Sequence, residues 1–289
     1  MGELLHLTEL ELRGWVSGRK LLYLMIGVCA GVFIGPFFVS FTFGSDETIL
    51  SDVVVSSLWL LTIGAGIIIG TTSAAEDVES GQVALRRIAG VSNLAVVAGK
   101  LIALAAGVLM LWGAGACAVL LVSSALTTAK TAAAVGVAAL AAAAGVPVRG
   151  RAAWVVMGAA PIAVAAAAAY FLFRATPEET AGSVTAVLAV SLGLSAAGMY
   201  MGLRLRAPVA LSVALAVWVI LFAIGEGTGG GKVWKAVTGG LPLAEFQATA
   251  GDTGVAGTGV VLLCFFASSA CIMGLVLVWG AWSLGKRDS

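Results

Sequence analysis

The stretch VVVSSLWLLTIGAGIIIGTTS, residues 53–73, carries no ionisable side chain, and the segment that follows it, AAEDVESGQVALRRIAGVSNLAVVAGK, residues 74–100, is charged. As a helix the first stretch is about 31 Å long, enough to cross the roughly 30 Å hydrocarbon core of a bilayer. The second reads as the loop where the chain leaves it. Runs of the same kind recur at 21–42, 100–126, 131–147, 152–173, 181–203, 207–225 and 258–283. With 53–73 they predict about eight membrane spans, of which 131–147 is the shortest and the richest in alanine. Sixty per cent of the 289 residues are apolar and 11% are charged. An ordinary soluble domain carries roughly a quarter charged residues and could not hide so much apolar surface at this size. The expected fold class is therefore all-α, a polytopic transmembrane helix bundle.

Cytoplasmic loops carry the excess of Lys and Arg, so these residues test the span count. Eight spans with a cytoplasmic N-terminus put Arg13, Arg19, Lys20, Arg86, Arg87, Lys100, Arg149, Arg151, Arg204, Arg206, Lys286 and Arg287 inside. Lys130, Arg174, Lys232 and Lys235 fall outside, twelve against four, and both termini are cytoplasmic. Omitting 131–147 would send Arg149, Arg151, Lys286 and Arg287 outside. The N-terminal segment contains Glu3, Glu9 and Glu11 and precedes a long apolar run, unlike a cleavable signal peptide. Leu21–Phe41 is therefore expected to stay as the first anchor. Residues 1–20 read as an interfacial amphipathic helix: His6, Glu9, Arg13, Ser17 and Lys20 fall within an arc of about 80° at 100° per residue. Such a helix lies in the membrane surface, packs on the cytoplasmic ends of the spans, or does both. Residues 21–289 then form one transmembrane domain, with a cytoplasmic segment at 74–99 and an external, glycine-rich loop at 226–257.

Several chemistries are disfavoured. No Asp, Glu, Lys, Arg or His lies inside the expected spans, which argues against proton relays, ion sites and voltage sensing there. The single histidine, His6, leaves a serine–histidine membrane protease without a base. Cys29, Cys117, Cys264 and Cys271 lie in apolar runs without metal-ligand spacing, and no metal or cofactor is expected in the chain. Asp46, Glu47 and Asp52 form an acidic turn better read as solvated than as a cation site. No phosphate loop follows Gly99-Lys100, Gly231-Lys232 or Gly285-Lys286, so ATP is not bound by that route. The net charge of +1 and the absence of a basic patch give no reason to expect nucleic acid. Gly27, Gly31 and Gly35, the pair Gly66 and Gly70, and the pair Gly198 and Gly202 recur at four-residue spacing, which lets helix backbones approach closely.

The informative segment is Ala75–Gly99. As a helix it puts Glu79, Gln82 and Arg86 on one face and Val78, Leu85 and Ile88 on another, with acids first and arginines last, as the helix dipole favours. A short amphipathic helix of this kind docks on a soluble partner; otherwise the segment is a solvated loop whose arginines set topology.

The run Glu79-Ser80-Gly81-Gln82, then Gly90-Val91-Ser92, then Gly99-Lys100 resembles the signature of the ABC-2-type transporter permeases. In that family Glu-x-Gly-Thr follows the second span, Pro-Val-Ser comes nine residues beyond the glycine, and Gly-Lys opens the third span. The spacing matches here, with Gln82 in place of threonine and Gly90 in place of proline. Leu241-Pro242-Leu243-Ala244-Glu245-Phe246 is similar to the family's Pro-x-x-x-Phe element before the last span. The likeness covers the first 110 residues and the last 50, and eight spans exceed the family's usual six, which an extra hairpin within 127–206 would explain.

The resemblance implies the membrane subunit of an ATP-binding-cassette exporter. ATP and magnesium would sit on a separate ATP-binding subunit, and the permease would pair with itself or with a related permease. Glu76, Glu79, Gly81, Gln82, Arg86, Arg87 and Gly90 would form the coupling segment, with Glu79 and Arg86 facing the ATPase and Gly81 and Gly90 setting the turns. Reversing Glu79 or Arg86 would then uncouple hydrolysis from transport and leave the membrane fold intact. Alanine-rich composition together with the resemblance points to a bacterial cytoplasmic (inner) membrane. The alternative is a scaffold or anchor subunit that moves nothing. A path lined by Ser, Thr, Gly and aliphatic residues suits lipids, drugs, peptides or capped sugars equally.

Overall fold

The computed structural model describes residues 2–43, 47–122, 152–175, 178–227 and 254–286, and among them every element is a helix. In chain order these are α1 (Gly2–Ser17), α2 (Lys20–Phe43), α3 (Glu47–Glu79), α4 (Gln82–Ile88) and α5 (Asn93–Val122), then α6 (Ala152–Ala175), α7 (Glu178–Arg204), α8 (Ala207–Gly227) and α9 (Gly254–Lys286). The expected span at 131–147 and most of the loop at 226–257, with its Leu241–Phe246 element, lie outside the described residues.

Among the described residues four helices are long and apolar enough to cross a membrane: Val53–Glu79, Asn93–Val122, Ala181–Arg204 and Leu262–Lys286. Leu4–Trp15 and Lys20–Gly35 make a fifth candidate as a pair bent by 62°, and Pro161–Arg174 and Ala207–Ile220 are shorter apolar helices. The described residues thus establish a helical bundle with four or five candidate spans. Its outer surface is apolar, with Leu60, Ile102, Ile162, Ile220, Leu263 and Val278 all exposed. Such a surface is stable against lipid and not against water.

α3 runs past the expected boundary at Ser73 to Glu79, and α5 begins at Asn93, ahead of Lys100. Apolarity ends before the helix does, because Ala74, Ala75, Glu76 and Glu79 are good helix formers whose charges find partners. Asp77, beyond the expected span 53–73, and Lys100, at the first residue of 100–126, therefore lie within α3 and α5, and both are buried.

α1 packs on α5. Leu7, Leu12 and Trp15 are buried. Glycines in α5 admit them: a Cβ on Gly99 would stand 2.9 Å from the Leu7 Cβ, and one on Gly107 would stand 3.0 Å from the Trp15 ring. The polar arc of α1 is only partly solvated, since Glu9 is buried beside Arg13 while His6 is exposed.

At the centre, α3 and α7 run parallel with their backbones in contact. Gly66 lies against Ser195, Gly70 against Ser195 and Met199, Gly198 against Ile67 and Thr71, and Gly202 against Thr71 and Ala74. Both four-residue glycine pairs thus sit in one seam. In α2, Gly31 faces Leu61 and Gly35 faces Ser57, whereas nothing lies within 4 Å of a Cβ on Gly27. α5 crosses behind the seam, tied to α7 by the Trp112 indole N–H, which donates to the Val184 carbonyl at 2.6 Å. α9 is fastened to α7 by the Ser269 hydroxyl, which donates to the Ala189 carbonyl.

The seam is testable. A Cβ on Gly70 would stand 2.3 Å from the Ser195 carbonyl oxygen, and one on Gly202 would stand 2.3 Å from the Thr71 carbonyl oxygen. Backbone cannot swing aside as a side chain can. G70A and G202A are each expected to cost roughly 1–3 kcal/mol and to lower the thermal midpoint in detergent. G64A, where a Cβ meets open space, is the control and should melt with the native protein.

Candidate coupling site at the α4 end

The α3–α4–α5 elbow is built by two glycines and a serine. Gly81 has φ +73° and closes α3, its N–H donating to the Val78 carbonyl at 3.3 Å. The same residue opens α4, its carbonyl accepting from Leu85 N–H at 3.1 Å. Gly90 has φ +83°. Its N–H reaches the Arg87 carbonyl at 2.8 Å, and Val91 N–H reaches the Arg86 carbonyl at 3.0 Å. That paired closure needs a left-handed residue, for which glycine has no steric penalty. Ser92 then starts α5, its hydroxyl accepting from Ala95 N–H at 3.1 Å.

Beneath the elbow four helices contribute charges to one buried cluster. Lys100, 2% exposed, donates to Glu11 Oε1 at 2.8 Å and lies 2.8 Å from Asp77 Oδ2. Arg86 Nη1 donates to the same Glu11 oxygen at 3.1 Å and lies 2.9 Å from Asp77 Oδ2. Glu11 Oε2 accepts from the Ser73 hydroxyl at 3.3 Å. Asp77 Oδ2 lacks hydrogen-bond alignment with either cation, so its contribution is close-range charge attraction, whereas Glu11 is hydrogen-bonded to both. Two carboxylates against two cations leave no net charge in the cluster.

The predicted site residues are distributed around this cluster. Glu76 pairs with Lys20 at 2.6 Å where α2 begins. Glu79 accepts from the Ala207 N–H at 2.8 Å and so caps α8. Gln82 is exposed and accepts from Arg86 Nη2 at 3.4 Å. Arg87 donates from Nε to Asn93 Oδ1 at 2.6 Å and from Nη2 to the Leu284 carbonyl, fastening the end of α9. Gly81 and Gly90 stand at the turns.

Arg86 points inward with its side chain 17% exposed, whereas Glu79 is exposed where it accepts from the Ala207 N–H. The exposed residues of α4 include Gln82 and the apolar pair Leu85, 65% exposed, and Ile88, 84%. Glu11 and Lys100 were absent from the expected site. Glu11 carried a signal, since it falls opposite the polar arc of α1, a lone carboxylate among leucines. Lys100 carried none beyond its place after Gly99.

The α3–α7 seam holds a second set of polar atoms. Thr62, Ser191 and Ser195 hydroxyls and the Trp218 indole N–H of α8 are buried there without a protein partner. Among the described residues no group of three or more His, Cys, Asp or Glu is placed to hold a metal ion.

The cluster predicts a mutational cycle. K100M leaves two buried carboxylates facing one arginine and is expected to cost about 3–5 kcal/mol. Adding E11L restores neutrality and should recover most of that loss, a coupling read from thermal midpoints of the two single variants and the double. Additive losses would show that the four charges do not act together.

No protein-family model, curated protein or solved structure matches this chain.

Proposed function

We propose that this chain is the membrane-spanning permease subunit of an ATP-binding-cassette exporter and that α4 is its coupling helix. The observation that carries the reading is the construction of α4. It is one short helix between two glycine turns, at the junction of two long apolar helices, anchored from inside by Arg86 and presenting Leu85 and Ile88 outward. An exposed apolar face at a water-facing elbow gains stability by burial against a partner. The spacing from Glu79 through Gly90 to Gly99-Lys100 supports the same assignment. On this reading Leu85 and Ile88 enter the ATPase, while Glu79, Arg86 and Arg87 hold the elbow against α8, α1 and α9. ATP and magnesium belong to the partner, and two permeases, identical or related, assemble in a bacterial cytoplasmic membrane.

In this proposal the chain crosses the membrane eight times with both termini on the α4 side. α1 and the last turn of α9 both lie at the α4 end, the latter through Leu284.

Purification in mild detergent from the native host tests the reading. A soluble companion carrying a G-x-x-x-x-G-K-[ST] phosphate loop should co-purify with the native chain and be lost from the L85D/I88D double variant. It should be retained by Q82A. A monodisperse preparation without an ATP-binding companion would overturn the exporter and favour a scaffold.

A further inference from the structure

A cavity of about 290 Å³ lies where the α1–α2 bend meets α3. Its wall is apolar, formed by Trp15, Leu21, Leu24 and Ile69, and Lys20 and Glu76 stand at its polar margin. Small-molecule sites run from roughly 300 Å³ upward, so the space suits one slender chain rather than a bulky ring system. The polar margin narrows the chemistry further. Thr72 and Ser73 hydroxyls are already engaged, donating to the Ile68 carbonyl at 2.7 Å and to Glu11 at 3.3 Å. The Lys20–Glu76 pair is half exposed and keeps spare capacity. Lys20 Nζ uses two of its three N–H groups on the Glu76 oxygens, at 2.7 and 2.6 Å, and the carboxylate retains free lone pairs.

An anionic head beside this pair would meet Lys20 but be repelled by Glu76, and a cationic head would meet the reverse. A head bearing both charges can set its phosphate on the free Lys20 N–H and its ammonium on Glu76 without breaking the pair. We infer that this cavity is a binding site for a zwitterionic phospholipid of the surrounding bilayer, one acyl chain lying among Trp15, Leu21, Leu24 and Ile69 and the headgroup bridging Lys20 and Glu76. Trp15 and Lys20 are the residue types that mark the membrane–water boundary, which puts the pair at headgroup depth. The inference is independent of the exporter reading.

Native mass spectrometry of the full chain in detergent tests it, titrating lyso-phosphatidylethanolamine and lyso-phosphatidylglycerol of equal chain length. The ethanolamine lipid is expected to bind as one saturable equivalent, about tenfold tighter than the glycerol lipid, one charge-assisted contact's worth. L24W should abolish that equivalent by filling the cavity. E76Q, at a half-exposed position, should keep chain binding and helicity while erasing the preference between heads, and it decides the matter if L24W fails to fold. Equal affinities in the native chain, absence of a saturable equivalent, or undiminished binding to folded L24W would overturn the site.

Discussion

Lys100 cannot be taken out of water alone, and much of the α4 end follows from that. An ammonium in a low-dielectric interior carries an idealised penalty on the order of 20 kcal/mol, offset only by close, hydrogen-bonded counter-charge. Glu11 from α1 and Asp77 from α3 supply it, and Arg86 from α4 balances the second carboxylate. Four helices are obliged to meet at one point. α4 is only seven residues long, far short of what holds an isolated helix together. Its shape comes from the turns at Gly81 and Gly90, and its rotation about its own axis comes from Arg86. Once Arg86 is directed inward, Leu85 and Ile88 have nowhere to go but out.

This explains why the elbow read differently in sequence and in space. Gln82 and Arg86 share a stripe of α4, but Glu79 belongs to α3, cut off from them by the left-handed turn at Gly81. Arg86 meets Asp77 close by in the chain, and also Glu11, 75 residues away, which in turn binds Lys100, 89 residues from it. Periodicity carries no information about contacts of that separation. The apolar runs were legible for a simpler reason, since length and hydropathy alone decide whether a helix can lie in lipid. Their ends were not, because a helix continues as long as its side chains find partners, and Asp77 and Lys100 find each other. The glycine pairs of α3 and α7 were readable as close-packing signals, while their joining in one parallel seam was not.

The seam and the cluster share α3. Above, α3 touches α7 backbone to backbone, with Gly70 against the Ser195 carbonyl and Gly202 against the Thr71 carbonyl. Below, Asp77 joins the cluster. A contact with no side chain between the backbones has no soft element to absorb displacement, because interiors at close-packed density are not continuously deformable. α3 and α7 therefore behave as one rod. α5 is tied to the same rod by Trp112 at mid-depth and by Lys100 at the end.

Under the exporter proposal this arrangement fixes the route of force. A push on Leu85 and Ile88 passes from α4 through Arg86 to Asp77 and Glu11, and so into α3 and α1. From α3 it goes directly to α7 along the glycine seam. α8 and α9 receive it through the two remaining elbow contacts, Glu79 to the Ala207 N–H and Arg87 to the Leu284 carbonyl. Arg86 is then more useful facing inward than outward. An outward charge fixes where a partner docks, whereas an inward one determines which helices move when it does. The apolar outer face suffices for docking, and the cluster beneath it distributes the load.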